Sequence, residues 1–400
     1  MLGKEIVMKK SIVVSYLSLA SLYSLGMSFI AGTYSNFLRG AGLDELQVNL
    51  VNVAYFVVLT LFEIPTGIFA DVFGRKKSFL ISCFLLSISE FVYAGSSYFF
   101  GFVLAESLAA VAHTFASGAF QAWFVDRLKH FGYEENLTKI FGWEKALRSV
   151  VCIVGALIGG YVADTSMRLP WILGGIVFLI VGILSSIYMK EEYFSKNTFS
   201  LKKSWTLMKK TAKDSFIFAK NNKNFRFIIF AGMIQMFAVM CANMEWQKLF
   251  GDYLKKNVAI AGMMAPIQIS VLVGGLFFSR WLLRKAKDEK LAILICQIII
   301  GLGIILTVSF ASLPLIVTFF LVHEVGRGMF GPIKDAYLHD NIPSVDRATL
   351  VSFESMYQHA GGALGLFASG CIAKYFGITP AWIVSGTLLV VLSLLLYKKR

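Results

Sequence analysis

Twelve long apolar runs are the feature that most limits how this chain of 400 residues can fold. Each run holds roughly 20 mostly apolar residues, the length that a helix needs to cross the hydrocarbon core of a bilayer. Their approximate limits are 11–36, 47–70, 78–96, 98–126, 140–163, 169–189, 224–250, 257–283, 290–311, 313–338, 348–372 and 376–397. A transmembrane β-barrel would instead show short segments of alternating polarity. The sequence therefore predicts an all-α integral membrane protein with twelve transmembrane helices.

Basic residues mark one side of this predicted bundle. Of the 38 Lys and Arg residues, 29 fall at the two termini or in loops on the same side of the membrane. Since cytoplasmic loops are enriched in Lys and Arg, we predict that both termini are cytoplasmic and that the protein lies in the cell membrane. The net charge of +14 is thereby explained by topology. The sequence has no soluble module with a basic face, the feature that would predict a nucleic-acid partner.

Patterns for a cofactor or for catalysis are missing from the sequence. The five cysteines are scattered singly through apolar runs, without the CxxC or Cys/His spacing of a zinc site. The sequence has no Walker A pattern, the motif that would predict ATP binding. We therefore expect no metal, no cofactor and no enzymatic activity.

The two halves of the chain resemble each other. The fifth and eleventh runs match at an offset of 210 residues, which pairs Glu144 with Glu354, Gly155 with Gly365, Gly160 with Gly370 and Ala163 with Ala373. Two related halves are typical of alternating-access transporters, which bind substrate between the repeats near the midplane. We predict a six-helix bundle over 1–189, an amphipathic cytoplasmic linker over 190–223 and a second bundle over 224–400. A plain solvated linker is the alternative for the middle segment.

The loop after the second run reads GIFADVFGRKK from Gly67 to Lys77. This resembles motif A of the major facilitator superfamily, G-x-x-x-D-x-x-G-R-K/R, in its expected place between the second and third helices. The fixed positions are Gly67, Asp71, Gly74, Arg75 and Lys76. The resemblance implies the major facilitator fold, a small-molecule substrate and a monomer. It also implies that the first, fourth, seventh and tenth helices line the substrate cavity.

Physical roles can be assigned to the motif. Gly67 would let two helices approach closely, and Gly74 would suit a tight turn. Asp71 could accept hydrogen bonds from the N-terminal end of a facing helix, whose dipole favours an anion. The resemblance implies that Arg75 pairs with Asp126, at the end of the fourth helix, and clasps the cytoplasmic side. The alternative is that these charges only fix the topology.

Ionisable residues inside the membrane need a partner, a wet cavity or protonation. A group nearer the cytoplasmic side reads as a structural ion network at the inner gate; it comprises Glu63, Glu144, Arg148 and Glu354. A second group lies on the helices that the resemblance places around the cavity; it comprises Glu106, His113, Glu245, Glu324 and Arg327. Either Glu106 or Glu324 could couple transport to protons. The alternatives are a permanent pair of Glu324 with Arg327 and a packing role for His113.

The predicted function is secondary active transport across a lipid bilayer, with the proton as coupling ion. Acidic and aromatic residues on the presumed cavity helices favour export of small hydrophobic cations, because carboxylates and aromatic faces attract positive charge. One alternative is proton-coupled or facilitated transport of a metabolite such as a sugar, a peptide or a siderophore-like compound. A second alternative is a receptor with this fold that transports nothing.

Overall fold

The structure, a computed structural model, describes residues 2–134, 136–192, 215–343 and 347–398. These ranges fold into helices joined by short turns and contain no strand. The predicted amphipathic linker falls mostly on residues 193–214, which lie outside the described residues. The all-helical fold class predicted from the apolar runs is confirmed.

The helices follow the predicted runs closely. The first half contains α1 Leu2–Ser28, α2 Tyr34–Gly40, α3 Glu45–Phe73, α4 Arg75–Gly95, α5 Phe99–Ala116, α6 Ala119–His130, α7 Thr138–Ala163 and α8 Leu169–Tyr188. The second half contains α9 Lys223–Leu254, α10 Asn257–Gly262, α11 Met264–Val273, a π-helical turn Gly274–Phe278, α12 Ser279–Lys285, α13 Glu289–Thr307, α14 Leu313–Asp340, α15 Arg347–Phe376 and α16 Ile378–Lys398. The predicted fourth run is thus split into α5 and α6, and the eighth into α10, α11 and α12.

Eleven helical stretches in the described ranges are long and apolar enough to cross a membrane. The remaining long helix, α15, has 30 residues, which is ample length for a span. Its first half carries Glu354, Gln358 and His359, and these polar side chains lower its mean hydropathy. Length and sequence position still match the eleventh predicted helix, 348–372.

The break between α5 and α6 has a local cause. Gly118 has a φ of 71°, a conformation that glycine adopts without the steric cost that a Cβ brings. The break separates Glu106, on α5, from Asp126, on α6. The two acids therefore belong to different helices, although the sequence predicts one continuous span.

The chain forms two compact units. Unit 1 comprises Met1–Phe37, Val58–Leu201 and Leu254–Met264, and unit 2 comprises Leu38–Val57, Lys202–Tyr253 and Ala265–Arg400. Each unit therefore contains a short segment from the other half of the chain. The domain boundaries predicted at 189 and 224 stay a prediction.

Candidate functional site

The motif A turn is a sharp corner between α3 and α4. Gly74 has φ 100° and ψ 147°, a region that is accessible essentially to glycine alone. The backbone N–H of Arg75, the first residue of α4, donates a hydrogen bond of 2.7 Å to Glu191 Oε1. The carboxylate of Glu191 thus lies at the helix N-terminus, where the helix dipole favours a negative charge.

The side chains of the motif reach two neighbouring elements. The Arg75 guanidinium forms an ion pair with Asp126 on α6, and about a third of each side chain is exposed, 28% and 37%. Lys76 Nζ donates to the backbone oxygen of Ser186 at 2.6 Å, near the end of α8. The predicted contact between Arg75 and Asp126 is therefore present in unit 1, while its role in gating stays a prediction.

Two expectations about the motif differ from the structure. A Cβ added to Gly67 would meet no atom within 4 Å, so this glycine permits no close helix contact here. Asp71 is exposed, and the anion at the helix N-terminus next to the motif is Glu191. Motif spacing could not reveal Glu191, because it lies at the other end of the first half of the chain.

Alanine substitution should have opposite effects on stability at Gly74 and at Gly67. Gly74→Ala should destabilise the protein by about 1–3 kcal/mol, since alanine cannot adopt this backbone without strain. The new Cβ would also lie 2.6 Å from Glu191 Oε2. Gly67→Ala, inside helix α3 and facing open space, should stabilise it by about 0.5–1 kcal/mol. Thermal unfolding of both purified variants in one detergent tests this, and equal midpoints would contradict it.

Glu106 lies in an aromatic compartment of unit 1. Its side chain is nearly buried, and it accepts a hydrogen bond from the hydroxyl of Tyr93 on α4. The Tyr93 hydroxyl is also 3.3 Å from that of Tyr34. The Tyr93 ring stacks on Trp171 with centroids 3.9 Å apart. Within the described ranges Glu106 has no ion-pair partner.

A second buried acid stands next to this compartment. Glu90 lies one helical turn before Tyr93 on α4, and its Oε2 finds no hydrogen-bond partner among the residues that the structure describes. That oxygen would be 3.0 Å from a Cβ on Gly174, so the carboxyl is accommodated against α8 only because residue 174 is glycine. Both carboxyls belong to an apolar interior where an unpaired charge is costly. His113, the other α5 candidate, is half-buried two turns beyond Glu106.

Glu324 has a fixed cationic partner in unit 2. Arg327 Nη1 lies 2.8 Å from Glu324 Oε1, one turn further along α14, and 3.0 Å from Asn243 Oδ1 on α9. His323 is fully buried, and its Nδ1 is 3.7 Å from the same carboxylate. The structure therefore places Glu324 and Arg327 in the local pair that their spacing allows.

Glu245 is the centre of an ion network in unit 2. Its side chain is completely buried, and its Oε2 is 2.6 Å from Arg39 Nη2. Arg39 also pairs with Glu45 at 2.8 Å, and Glu45 in turn pairs with Lys248. Asn49 Nδ2 donates to Glu245 Oε1 at 3.3 Å. Because its carboxylate is paired with the Arg39 guanidinium, Glu245 is a structural acid here, whereas Glu106 has no ion-pair partner in the described residues.

The inner-gate candidates Glu144 and Arg148 can be compared within unit 1. Glu144 Oε2 accepts a hydrogen bond of 2.5 Å from Tyr16, while Arg148 is exposed and, among the described residues, makes no ion pair with it. The helical spacing of four residues allowed that pair, but the side chain of Glu144 turns toward α1 instead.

The other two inner-gate candidates lie in different surroundings. Glu354 pairs with Lys334 on α14 at 3.2 Å and accepts from Gln358 at 2.6 Å. Glu63 is half-buried on α3. Lys334 was absent from the predicted set, because it lies in a loop-proximal part of the tenth run.

The repeat extends to contacts at helix ends. In unit 1, Asp164 after α7 accepts from the backbone N–H of Asn257 at 2.8 Å, the first residue of α10. In unit 2, Lys374 at the end of α15 pairs with Asp44 at 2.9 Å, just before α3. Asp164 and Lys374 are related by the same offset of 210 residues as the glycines of these helices.

Burial alone would raise the pKa of Asp44, but a hydrogen bond from the Gln47 N–H and the Lys374 ammonium lower it below its ordinary value.

These long apolar helices, with charged side chains paired inside them and a repeat across the chain, define a polytopic helical membrane protein. The family model of the Major Facilitator Superfamily matches residues 16–321 and 288–400. The chain belongs to this superfamily, whose members are membrane transporters.

Relatives and solved structures agree with that assignment. MFS-type transporter YxaM of Bacillus subtilis (strain 168) is 23% identical over 393 residues, which cover 94% of this chain and 93% of the relative. Multidrug resistance protein 2 of the same strain is 25% identical over 407 residues, with 95% and 97% covered. A crystal structure of a variant of the nucleoside transporter NupG has a TM-score of 0.81 at 15% identity and covers 96% of this chain and 98% of its own, which shows a shared fold.

Proposed function

We propose that this transporter exports small hydrophobic cations in exchange for protons, by alternating access. The observation that carries the proposal is Glu106, a carboxyl enclosed by aromatic rings and hydrogen-bonded by Tyr93 without a cationic partner in the described residues. Such a carboxyl gains stability either by taking up a proton or by binding a cation. Competition between the two is the basis of exchange.

Comparison of the intramembrane acids favours Glu106 over Glu324. Arg327 already compensates the Glu324 carboxylate at 2.8 Å, so protonation of Glu324 would cost this ion pair. Glu245 is held in the same way by Arg39. Protonation of Glu106 breaks no ion pair in the described residues, because its partners there are the neutral hydroxyls of tyrosine side chains.

The substrate class follows from the same compartment. Trp171 and Tyr93 are stacked beside the carboxyl, and aromatic faces attract cations through their quadrupoles. Multidrug resistance protein 2, a relative over nearly the whole chain, bears a name that agrees with this substrate class. We infer an organic cation as substrate, since the described residues pair no basic side chain with the Glu106 carboxyl.

Proteoliposomes test the proposed function. Purified protein is reconstituted, a pH gradient is imposed, and movement of a lipophilic cationic dye is compared with that of a neutral analogue of similar size and with small metabolites. We expect only the cation to move against its gradient, and collapse of the pH gradient by a protonophore to stop it. Movement of a metabolite alone would favour the alternative substrate class, and movement of no compound would favour a receptor.

The pair of Arg75 and Asp126 provides a separate test of gating. Arg75→Ala should lower the free energy of unfolding by at most about 1 kcal/mol, because partly exposed ion pairs contribute little. The transport rate should nevertheless fall clearly if the pair closes one side of the protein during the cycle. The exchanged variant, Arg75→Asp with Asp126→Arg, should recover part of the rate. Wild-type dye transport by Arg75→Ala proteoliposomes would show that the pair only fixes topology.

A further inference from the structure

A basic pocket of about 370 Å³ lies in unit 2, where α9, α13 and α16 meet. Three cationic and three apolar side chains line it: Lys223, Arg226, Lys290, Phe227, Phe230 and Leu396. Lys223 begins α9, Lys290 is the second residue of α13, and Leu396 belongs to the last turn of α16. The pocket is therefore at one end of these helices and belongs to unit 2, whereas Glu106 and the motif A turn belong to unit 1.

The cations are arranged around an apolar floor. Lys290 Nζ lies 5.4 Å from the ring centroid of the buried Phe227, a cation–π contact that holds the ammonium at the pocket wall. Arg226 Nη1 donates to the backbone oxygen of Lys220 at 2.7 Å. A guanidinium has further N–H groups with which it can bind a ligand. A second, more open depression shares Lys223 and Asn224 with this pocket.

Acidic residues lie near the pocket, but none is part of its described lining. Glu289 precedes Lys290 and is half-buried, and Asp288 uses its carboxylate to accept from the Leu291 N–H at 2.8 Å at the start of α13. Asp340 also lies near Glu289, so three carboxylates stand close to the start of α13, but the described lining of the pocket holds three cations and no carboxylate. A pocket with this charge is complementary to an anion, and guanidinium and ammonium groups together suit a phosphate.

We propose that this pocket binds the phosphate headgroup of an anionic phospholipid. The apolar rim argues for a lipid rather than a soluble anion, since 40% of Phe230 is exposed on the helix surface and Leu396 lies beside further exposed leucines of α16. A lipid places its phosphate on the cations and its acyl chain along this rim. The predicted orientation puts the start of α9 and the end of α16 at the cytoplasmic leaflet, where anionic lipids are concentrated.

Lipid binding to the purified full-length protein tests the proposal. After delipidation in detergent, phosphatidylglycerol and phosphatidylcholine are titrated, and bound lipid is counted by native mass spectrometry. The variant Arg226→Ala/Lys290→Ala should bind phosphatidylglycerol roughly 30-fold more weakly than the wild type. The matched control, Arg284→Ala/Lys285→Ala, removes the same charge from exposed positions of α12 and should bind like the wild type.

Several outcomes decide the matter. An equal loss of binding in the control variant would show diffuse surface attraction and overturn the pocket. Displacement of the lipid by inorganic phosphate at constant ionic strength would assign the site to a soluble anion and overturn the lipid. The variant Arg226→Lys/Lys290→Arg keeps both charges and should retain the lipid even if the alanine variant fails to fold. None of these results depends on whether the protein exports cations.

Discussion

Replacing Glu106 with glutamine should remove the pH-gradient-driven accumulation of a cationic dye while leaving the fold intact. Glutamine has nearly the same shape, and its side-chain oxygen can still accept the hydrogen bond from Tyr93. It cannot release a proton or carry a negative charge. The variant should therefore bind the cation weakly and should no longer respond to pH. Dye uptake into proteoliposomes at matched protein content is the measurement.

A conservative variant provides the control for this result. Glu106→Asp keeps the carboxyl and should retain part of the proton-driven transport, although its shorter side chain weakens the contact with Tyr93. Thermal unfolding checks that both variants are folded. Proton-driven uptake at the wild-type rate by Glu106→Gln would overturn the assignment of Glu106 as the coupling group and direct attention to the remaining intramembrane acids.

The fold was largely predictable from local sequence. The apolar runs gave the helices, because a bilayer forces backbone polar groups to be satisfied within each span. Glu324 and Arg327 are also a local feature, since side chains three residues apart share a helix face. Their pairing in the structure follows from that spacing.

Contacts between distant parts of the chain were less accessible to sequence reasoning. Glu245 was assigned to a cavity because its helix lines one in the family, yet Arg39, roughly half the chain away in sequence, neutralises it. Glu191 occupies a helix N-terminus near the place predicted for Asp71. In both cases the sequence indicates that an ionisable group needs a partner, but it does not indicate which residue that partner is. Side-chain pairing between helices depends on tertiary packing, which the spacing of residues along one helix does not determine.

Aromatic positions illustrate the same limit. Tyr34 lies in the first apolar run, one of the predicted lining helices. Tyr93 and Trp171, which form the stack beside Glu106, are on helices outside that set. Their rings were indistinguishable from ordinary apolar packing in a chain with 36 phenylalanines. Only the hydrogen bond from Tyr93 to Glu106 identifies this tyrosine as part of the site.

Removing Glu245 should cause the largest loss of stability of any single substitution considered. Its carboxylate is fully buried 2.6 Å from Arg39, and Glu245→Ala would leave the guanidinium with a single remaining carboxylate, Glu45, which Lys248 also engages. Breaking a buried ion pair by deleting one partner costs about 3–5 kcal/mol, because the other charge remains in a poorly solvated place. Denaturant titration of the purified protein in micelles gives the change in the free energy of unfolding.

A double variant distinguishes this cause from simple loss of packing. Arg39→Met with Glu245→Leu removes both charges and leaves Glu45 paired with Lys248. Apolar residues of similar volume often replace a buried pair without loss, so most of the stability should return. Lys374→Ala, which breaks an exposed pair with Asp44 at 2.9 Å, should change stability little by comparison. A double variant as unstable as Glu245→Ala would show that the network is required for its shape rather than for charge balance.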